Sequence, residues 1–207
     1  MFGIENFTVF VSAGILLNLY PGPDTIYIIG RSVSQGRAAG VCAALGIGSG
    51  GIVHTMLGAF GLSAILATSA HAFMILKIAG CLYLFYQGVR MILDSSTEMS
   101  AVGHMERTGL WRIFRQGALT NVLNPKVAVF FLAFLPQFID AASSSKALAF
   151  IILGLTFMTT GTLWCLVVAV LSSSFGCRIR QSAKTSGYRA RAGYKNLYKQ
   201  RNCFTKS

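Results

Sequence analysis

The sequence predicts an all-α, polytopic membrane protein with five transmembrane helices, and three observations predict it. The chain of 207 residues is 54% hydrophobic and only 12% charged, against roughly 25% charged residues in an ordinary soluble domain, and its mean hydropathy is +0.60. Apolar runs of about 20 residues recur, each long enough at about 1.5 Å per residue to cross about 30 Å of hydrocarbon. None of them alternates apolar and polar positions as an outer-membrane strand does.

The spans fall near residues 5–29, 39–67, 70–92, 117–139 and 147–173. Span 1 has no Lys or Arg before Arg31 and continues through Pro21-Gly22-Pro23. It therefore lacks the basic start and cleavage site of a secretory signal and is expected to be retained. Span 2 carries Gly46, Gly48, Gly50, Gly51, Gly58 and Gly61. Small residues four apart let helices pack closely in lipid, and with no preceding strand or following Gly-Lys-Ser/Thr they are not a nucleotide loop. Span 3 carries Lys77, whose stem is long enough to reach outward to water. Span 4 carries Phe130, Phe131, Phe134 and Phe138, read as packing or lipid-facing surface. Five cysteines show no C-x-x-C pair or zinc spacing, so neither a metal site nor a disulfide framework is expected.

Charge gives the orientation. The net charge is +12, and residues 175–207 hold nine basic and no acidic residues. The remaining nine basic and six acidic residues leave +3 for residues 1–174. Arg31 and Arg37 follow span 1, Arg90, Arg107, Arg112 and Arg115 surround the third loop, and the basic tail follows span 5. Cytoplasmic loops are enriched in Lys and Arg, so the N-terminus is expected outside and the tail inside. The basic balance is thus a topology signal, and no nucleic-acid partner is expected.

Spans 1 and 4 are each interrupted by proline beside polar residues: Asn18-Leu19-Tyr20-Pro21-Gly22-Pro23-Asp24 and Asn121-Val122-Leu123-Asn124-Pro125-Lys126. A broken helix at membrane depth survives only where protein or a polar cavity satisfies its backbone. The predicted topology makes the two broken spans antiparallel, opening two halves as in an inverted repeat. A full repeat has three spans plus three, so a sixth helix is missing.

The resemblance lies in Tyr20-Pro21-Gly22-Pro23-Asp24, Gly36-Arg37-Ala38-Ala39-Gly40, Gly58-Ala59-Phe60-Gly61-Leu62-Ser63 and Ile78-Ala79-Gly80-Cys81-Leu82-Tyr83-Leu84. Its strongest block is Asn124-Pro125-Lys126 with the following Phe130–Phe138 run. Over roughly residues 5–175 the chain resembles the lysine exporter / homoserine–threonine resistance family of bacterial amino-acid exporters. The resemblance implies six helices, a place in the bacterial inner membrane, and export of small amino acids driven by the proton-motive force. Near Gly187 the pattern departs: no window in the basic stretch is apolar enough to span. The expected organisation is a transporter domain over 1–174 and a basic cytoplasmic tail over 175–207, disordered or produced by a frameshift. A genuine tail that contacts anionic lipid is the alternative. Self-association stays open.

The candidate substrate or proton-coupling residues cluster at the two breaks. Asp24 is the only acid well inside a span, and a carboxylate there must face the interior, pair or take a proton. It either exchanges a proton and holds a substrate ammonium, or caps the half-helix after Pro23. Lys126 either binds a substrate carboxylate and neutralises Asp24, or snorkels to the membrane boundary. Pro21, Pro23 and Pro125 free carbonyls one turn back, and Gly22 permits close backbone approach. Asn18, Asn121, Asn124 and Gln137 orient substrate or satisfy freed backbone groups. His54 is a proton relay or a hydrogen-bonded packing residue. No nucleophile–base pair and no H-E-x-x-H occurs, so an enzyme is not expected, nor a cofactor. The competing reading is a non-transporting membrane protein, an inactive remnant of an exporter.

Overall fold

The computed structural model describes residues 3–62, 106–140 and 142–204, with scattered residues between 71 and 89, and side chains through Phe175 in the last helix. Span 3, with Lys77, lies largely outside the described residues. Among the described residues the regular elements are helices, apart from a single antiparallel bridge between Ile4 and Ile139.

Helix α1 (Phe7–Leu19) stops where Tyr20 turns extended, φ −70° and ψ 120°. A residue before proline is pushed out of the helical region, and Pro21 has no N–H to continue the ladder. Helix α2 (Pro23–Gln35) restarts with Pro23 in its first turn, where a missing N–H costs nothing. It ends at Gly36, whose φ of +93° is the left-handed conformation that favours glycine. Helix α3 (Arg37–Met56) runs on into a π-helical turn, Leu57–Leu62. Helix α4 (Leu110–Val122) and helix α5 (Pro125–Val129) are the two sides of the second break. Helix α5 is prolonged by a π turn over Phe130–Phe134 and a 3-10 turn over Leu135–Phe138. Helix α6 (Lys146–Phe204) carries its backbone past the expected boundary at 174/175 without interruption.

Among the described residues two helices are long and apolar enough to cross a membrane, Arg37–Gly61 and Lys146–Phe175, and the pair on either side of the second break, bent by 47°, makes a third if it is one span. Helix α1, with 13 residues, reaches only about 20 Å.

The broken spans run antiparallel along their whole length. Glu5 N donates to Phe138 O at 2.9 Å, Lys126 reaches Leu17 O, Asn121 reaches Asp24, and Gln35 Nε2 donates to Thr108 O. As one chain number climbs from 5 to 35, its partner falls from 138 to 108.

Packing differs on the two sides of these crossings. One cluster is aromatic, with Phe10, Phe130, Phe131, Phe138, Phe150 and Phe157 buried together. The span 4 aromatics at 130, 131 and 138 are therefore core, not lipid-facing surface. The other cluster is built on small residues, Ala39, Ala43, Ala44 and Ala169, around Ile28 and Ile113. There α3 and α4 touch backbone to backbone: a methyl on Gly117 would lie 2.7 Å from Ala43 O, and one on Gly50 2.6 Å from Ala118 O. Such contacts are the close approach that small residues allow in lipid.

Candidate functional site

Proline dictates the chemistry of each break. Pro21 cannot donate to Leu17 O, the acceptor four residues back, and that carbonyl needs another partner. Lys126 supplies it: Nζ donates to Leu17 O at 2.7 Å and to Tyr20 O at 2.9 Å. The ammonium also lies 4.9 Å from the centre of the Tyr20 ring, within cation–π range. Lys126 therefore turns inward and does not snorkel. Gly22 is extended, and a methyl there would meet only Lys126 Cδ, at 3.9 Å. The expected backbone approach at Gly22 is thus a side-chain contact at ordinary distance.

Pro125 likewise orphans Asn121 O. That carbonyl accepts from His54 Nε2 at 3.1 Å and from Asn124 N at 3.0 Å. A carbonyl only accepts, so the bond requires a hydrogen on Nε2 of His54. The ring is buried and stacks on Phe131 with centroids 5.6 Å apart. Asn124 caps α5, its Oδ1 accepting from Lys126 N at 3.1 Å, as an N-cap asparagine does.

Asp24 sits in the first turn of α2 but does not cap it; the N-cap is Gly22, with no side-chain bond. Its carboxylate crosses to the second break instead, where Asn121 Nδ2 donates to Oδ2 at 2.8 Å. Asp24 and Lys126 make no direct ion pair, yet both line one cavity of about 60 Å³, measured as space for the centres of water-sized groups. That is several times the room one water needs. Asn18, Gly22, Asn121 and Asn124 share its wall. Asn18 also leans on α6, with Nδ2 3.4 Å from Thr160 Oγ1.

Of the residues singled out from sequence, the structure brings together Asn18, Gly22, Asp24, Asn121, Asn124 and Lys126 around the cavity. Pro21, Pro23 and Pro125 shape it from outside. His54 acts one layer back, through Asn121. Gln137 stands apart, exposed, its Nε2 bonded to Ala133 O at 2.8 Å and lying 3.5 Å from Cys81 Sγ. Phe131, read from sequence as packing or lipid-facing surface, joins an apolar wall with Ile47, Val127, Phe157 and Met158 that was not expected at the site, nor was the α6 face with Gly161, Thr162, Trp164 and Cys165. Their one sequence signal is the polar run Thr159-Thr160-Gly161-Thr162 inside an otherwise apolar span.

Arg31 also departs from expectation. Read from sequence as a topology anchor, it is buried, and its guanidinium donates to Gln35 Oε1 at 2.9 Å, Glu106 O at 3.0 Å and Gln116 Oε1 at 2.8 Å, lacing α2 to α4. Tyr27 joins by donating to Ile113 O at 2.9 Å.

Comparison with known proteins agrees with this architecture. Residues 15–193 match the LysE type translocator family. An uncharacterized membrane protein of Pseudomonas aeruginosa is 30% identical over 166 residues, covering 78% of this chain and 77% of the relative. A leucine efflux protein of Salmonella choleraesuis is 27% identical over 155 residues, 75% of this chain and 73% of the relative. One from Klebsiella pneumoniae is 26% identical over 183 residues, 88% and 86% of the two chains. No solved structure matches the chain. With apolar spanning helices, two proline breaks facing one polar cavity, and a family match over most of its length, the chain belongs to the LysE type translocators, multi-pass membrane proteins that transport and do not catalyse.

Proposed function

We propose that the chain exports small neutral amino acids, of the leucine, threonine or homoserine kind, across the bacterial inner membrane under the proton-motive force. The observation that carries the reading is the cavity between the two proline breaks, where Asp24 and Lys126 stand without pairing to each other. One acid, one base and three neutral amides suit a zwitterion better than a doubly charged substrate. The apolar wall, with Phe131 and Met158, offers burial for an uncharged side chain. Relatives named leucine efflux proteins point the same way.

In this reading Asp24 exchanges a proton for the substrate ammonium, and the antiparallel broken spans are the first spans of an inverted repeat that exposes the cavity alternately to each side. The N-terminus lies outside and residues 175–207 form a basic cytoplasmic extension of the transporter domain.

Efflux tests it. Cells loaded with a leucine dipeptide are followed for release of free leucine, with and without an uncoupler, for the intact chain and Asp24→Asn. Release that needs the proton gradient, and that falls at least tenfold in the variant, supports the proposal. An intact chain that reaches the membrane and releases nothing supports the non-transporting reading.

A further inference from the structure

We infer that the cavity holds its substrate in one fixed polarity, amino group at Asp24, and that Trp164 reads the carboxylate. The inference rests on the cavity being the amino-acid site. Three polar atoms of residues on its wall are sealed from solvent with no hydrogen-bond partner: Asp24 Oδ1, Asn121 Oδ1 and Trp164 Nε1. Buried polar groups of native proteins are nearly always satisfied, so three exceptions in one wall call for a cause. Asn121 is the sharpest case. It is only 6% exposed, and its amide nitrogen is committed to Asp24 at 2.8 Å, which leaves its oxygen with nothing to accept.

The chemistry of each atom permits one assignment. An ionised carboxylate and an amide oxygen only accept, whereas an indole N–H only donates. Asp24 and Asn121 are joined, and Asp24 Oδ1 is the acceptor left over at that pair, which suits an ammonium with its three donors; Asn121 Oδ1 lies towards Gly50 of α3. Trp164 stands on α6, on the opposing element, and its N–H can meet only an acceptor. The substrate's acceptor is its carboxylate. Lys126 also lines the cavity and keeps one N–H beyond the two given to Leu17 and Tyr20, a second donor for a carboxylate. The remaining unpartnered buried atoms, on Arg31, Ser32 and Thr108, do not line this cavity.

The test separates the two ends of the ligand without relying on transport. A ligand that binds the folded state raises the unfolding midpoint by mass action. The purified full chain in detergent is titrated with leucine, with 3-methylbutylamine (leucine without its carboxyl) and with 4-methylpentanoate (leucine without its amino group). Trp164→Phe is expected to raise the half-saturating leucine concentration by about tenfold to a hundredfold, the worth of one hydrogen bond to a charged group. It leaves 3-methylbutylamine unchanged, and Trp164→His, which keeps a ring N–H, recovers part of the loss. Asp24→Asn weakens leucine and the amine but spares 4-methylpentanoate.

Equal weakening of leucine and amine by Trp164→Phe makes the indole a packing residue and overturns the inference. So does unchanged leucine binding. Should the amine fail to stabilise the parent chain, the Phe-to-His comparison with leucine decides alone. A parent chain that leucine, threonine and homoserine all fail to stabilise overturns the cavity reading, and the polarity with it. Stabilisation that Trp164→Phe leaves intact overturns the polarity only.

Discussion

The two proline breaks solve the same backbone problem by different means. At the second, Asn124 caps the restarting helix with its own side chain, and His54 of α3 donates to the carbonyl that Pro125 orphans, which also accepts from Asn124 N. At the first, α2 has no side-chain cap, and Leu17 O and Tyr20 O are met by an ammonium more than a hundred residues away in sequence. The second break is thus finished by several partners, one of them its own cap, whereas the first is finished only while Lys126 stays in it. The region free to respond to a charge in the cavity is the first break.

Removing the ammonium puts the contrast under the greatest strain. Lys126→Ala removes the two hydrogen bonds its ammonium gives to Leu17 O and Tyr20 O and is expected to cost about 3–5 kcal/mol, two hydrogen bonds from a charged donor. The unfolding midpoint in detergent should fall steeply and efflux should vanish; a midpoint within a degree of the parent's would mean that water serves those carbonyls equally well. Asp24→Asn is the complementary change. An amide of the same shape keeps an acceptor for Asn121 and removes a buried charge, so efflux should drop at least tenfold while the midpoint holds or rises. Loss of stability instead would place Asp24 in the scaffold.

Smaller effects belong to the second break. Asn124→Ala removes one N-cap, worth about 1 kcal/mol, and should lower the midpoint modestly while export persists. A loss as large as that from Lys126→Ala would erase the distinction between the breaks. His54→Leu should cost about 1 kcal/mol, because Asn121 O keeps its bond from Asn124 N. Gly22→Ala marks the lower limit, with near-parental efflux and midpoint, because only Lys126 Cδ lies near the added methyl.

Proline and polar residues within apolar runs made the breaks legible from sequence, because both are costly in lipid and have few explanations. Charge placement made their antiparallel sense legible, and the pairing of residues 5 to 35 with 138 to 108 follows it. Partner choice was not legible. Nothing in the order of residues says that Asp24 turns to Asn121 instead of capping its own helix, or that Lys126 turns inward. Those outcomes depend on the distance between two segments a hundred residues apart. Trp164 was hidden for another reason: a lone tryptophan in an apolar span reads as packing until its N–H is found without a partner. Arg31 shows the same limit, since a basic residue after a span signals topology whether or not it is buried.

The position of Lys126 constrains what can replace it. Two carbonyls need two donors from a single terminal atom, so a side chain with one N–H or O–H must abandon one of them, and an acid can serve neither. Arginine has donors enough but spreads them over a wider fork, which would press on the Tyr20 ring. A substitution at 126 therefore calls for compensation at positions 21 and 23, whose prolines interrupt the first helix and create the demand.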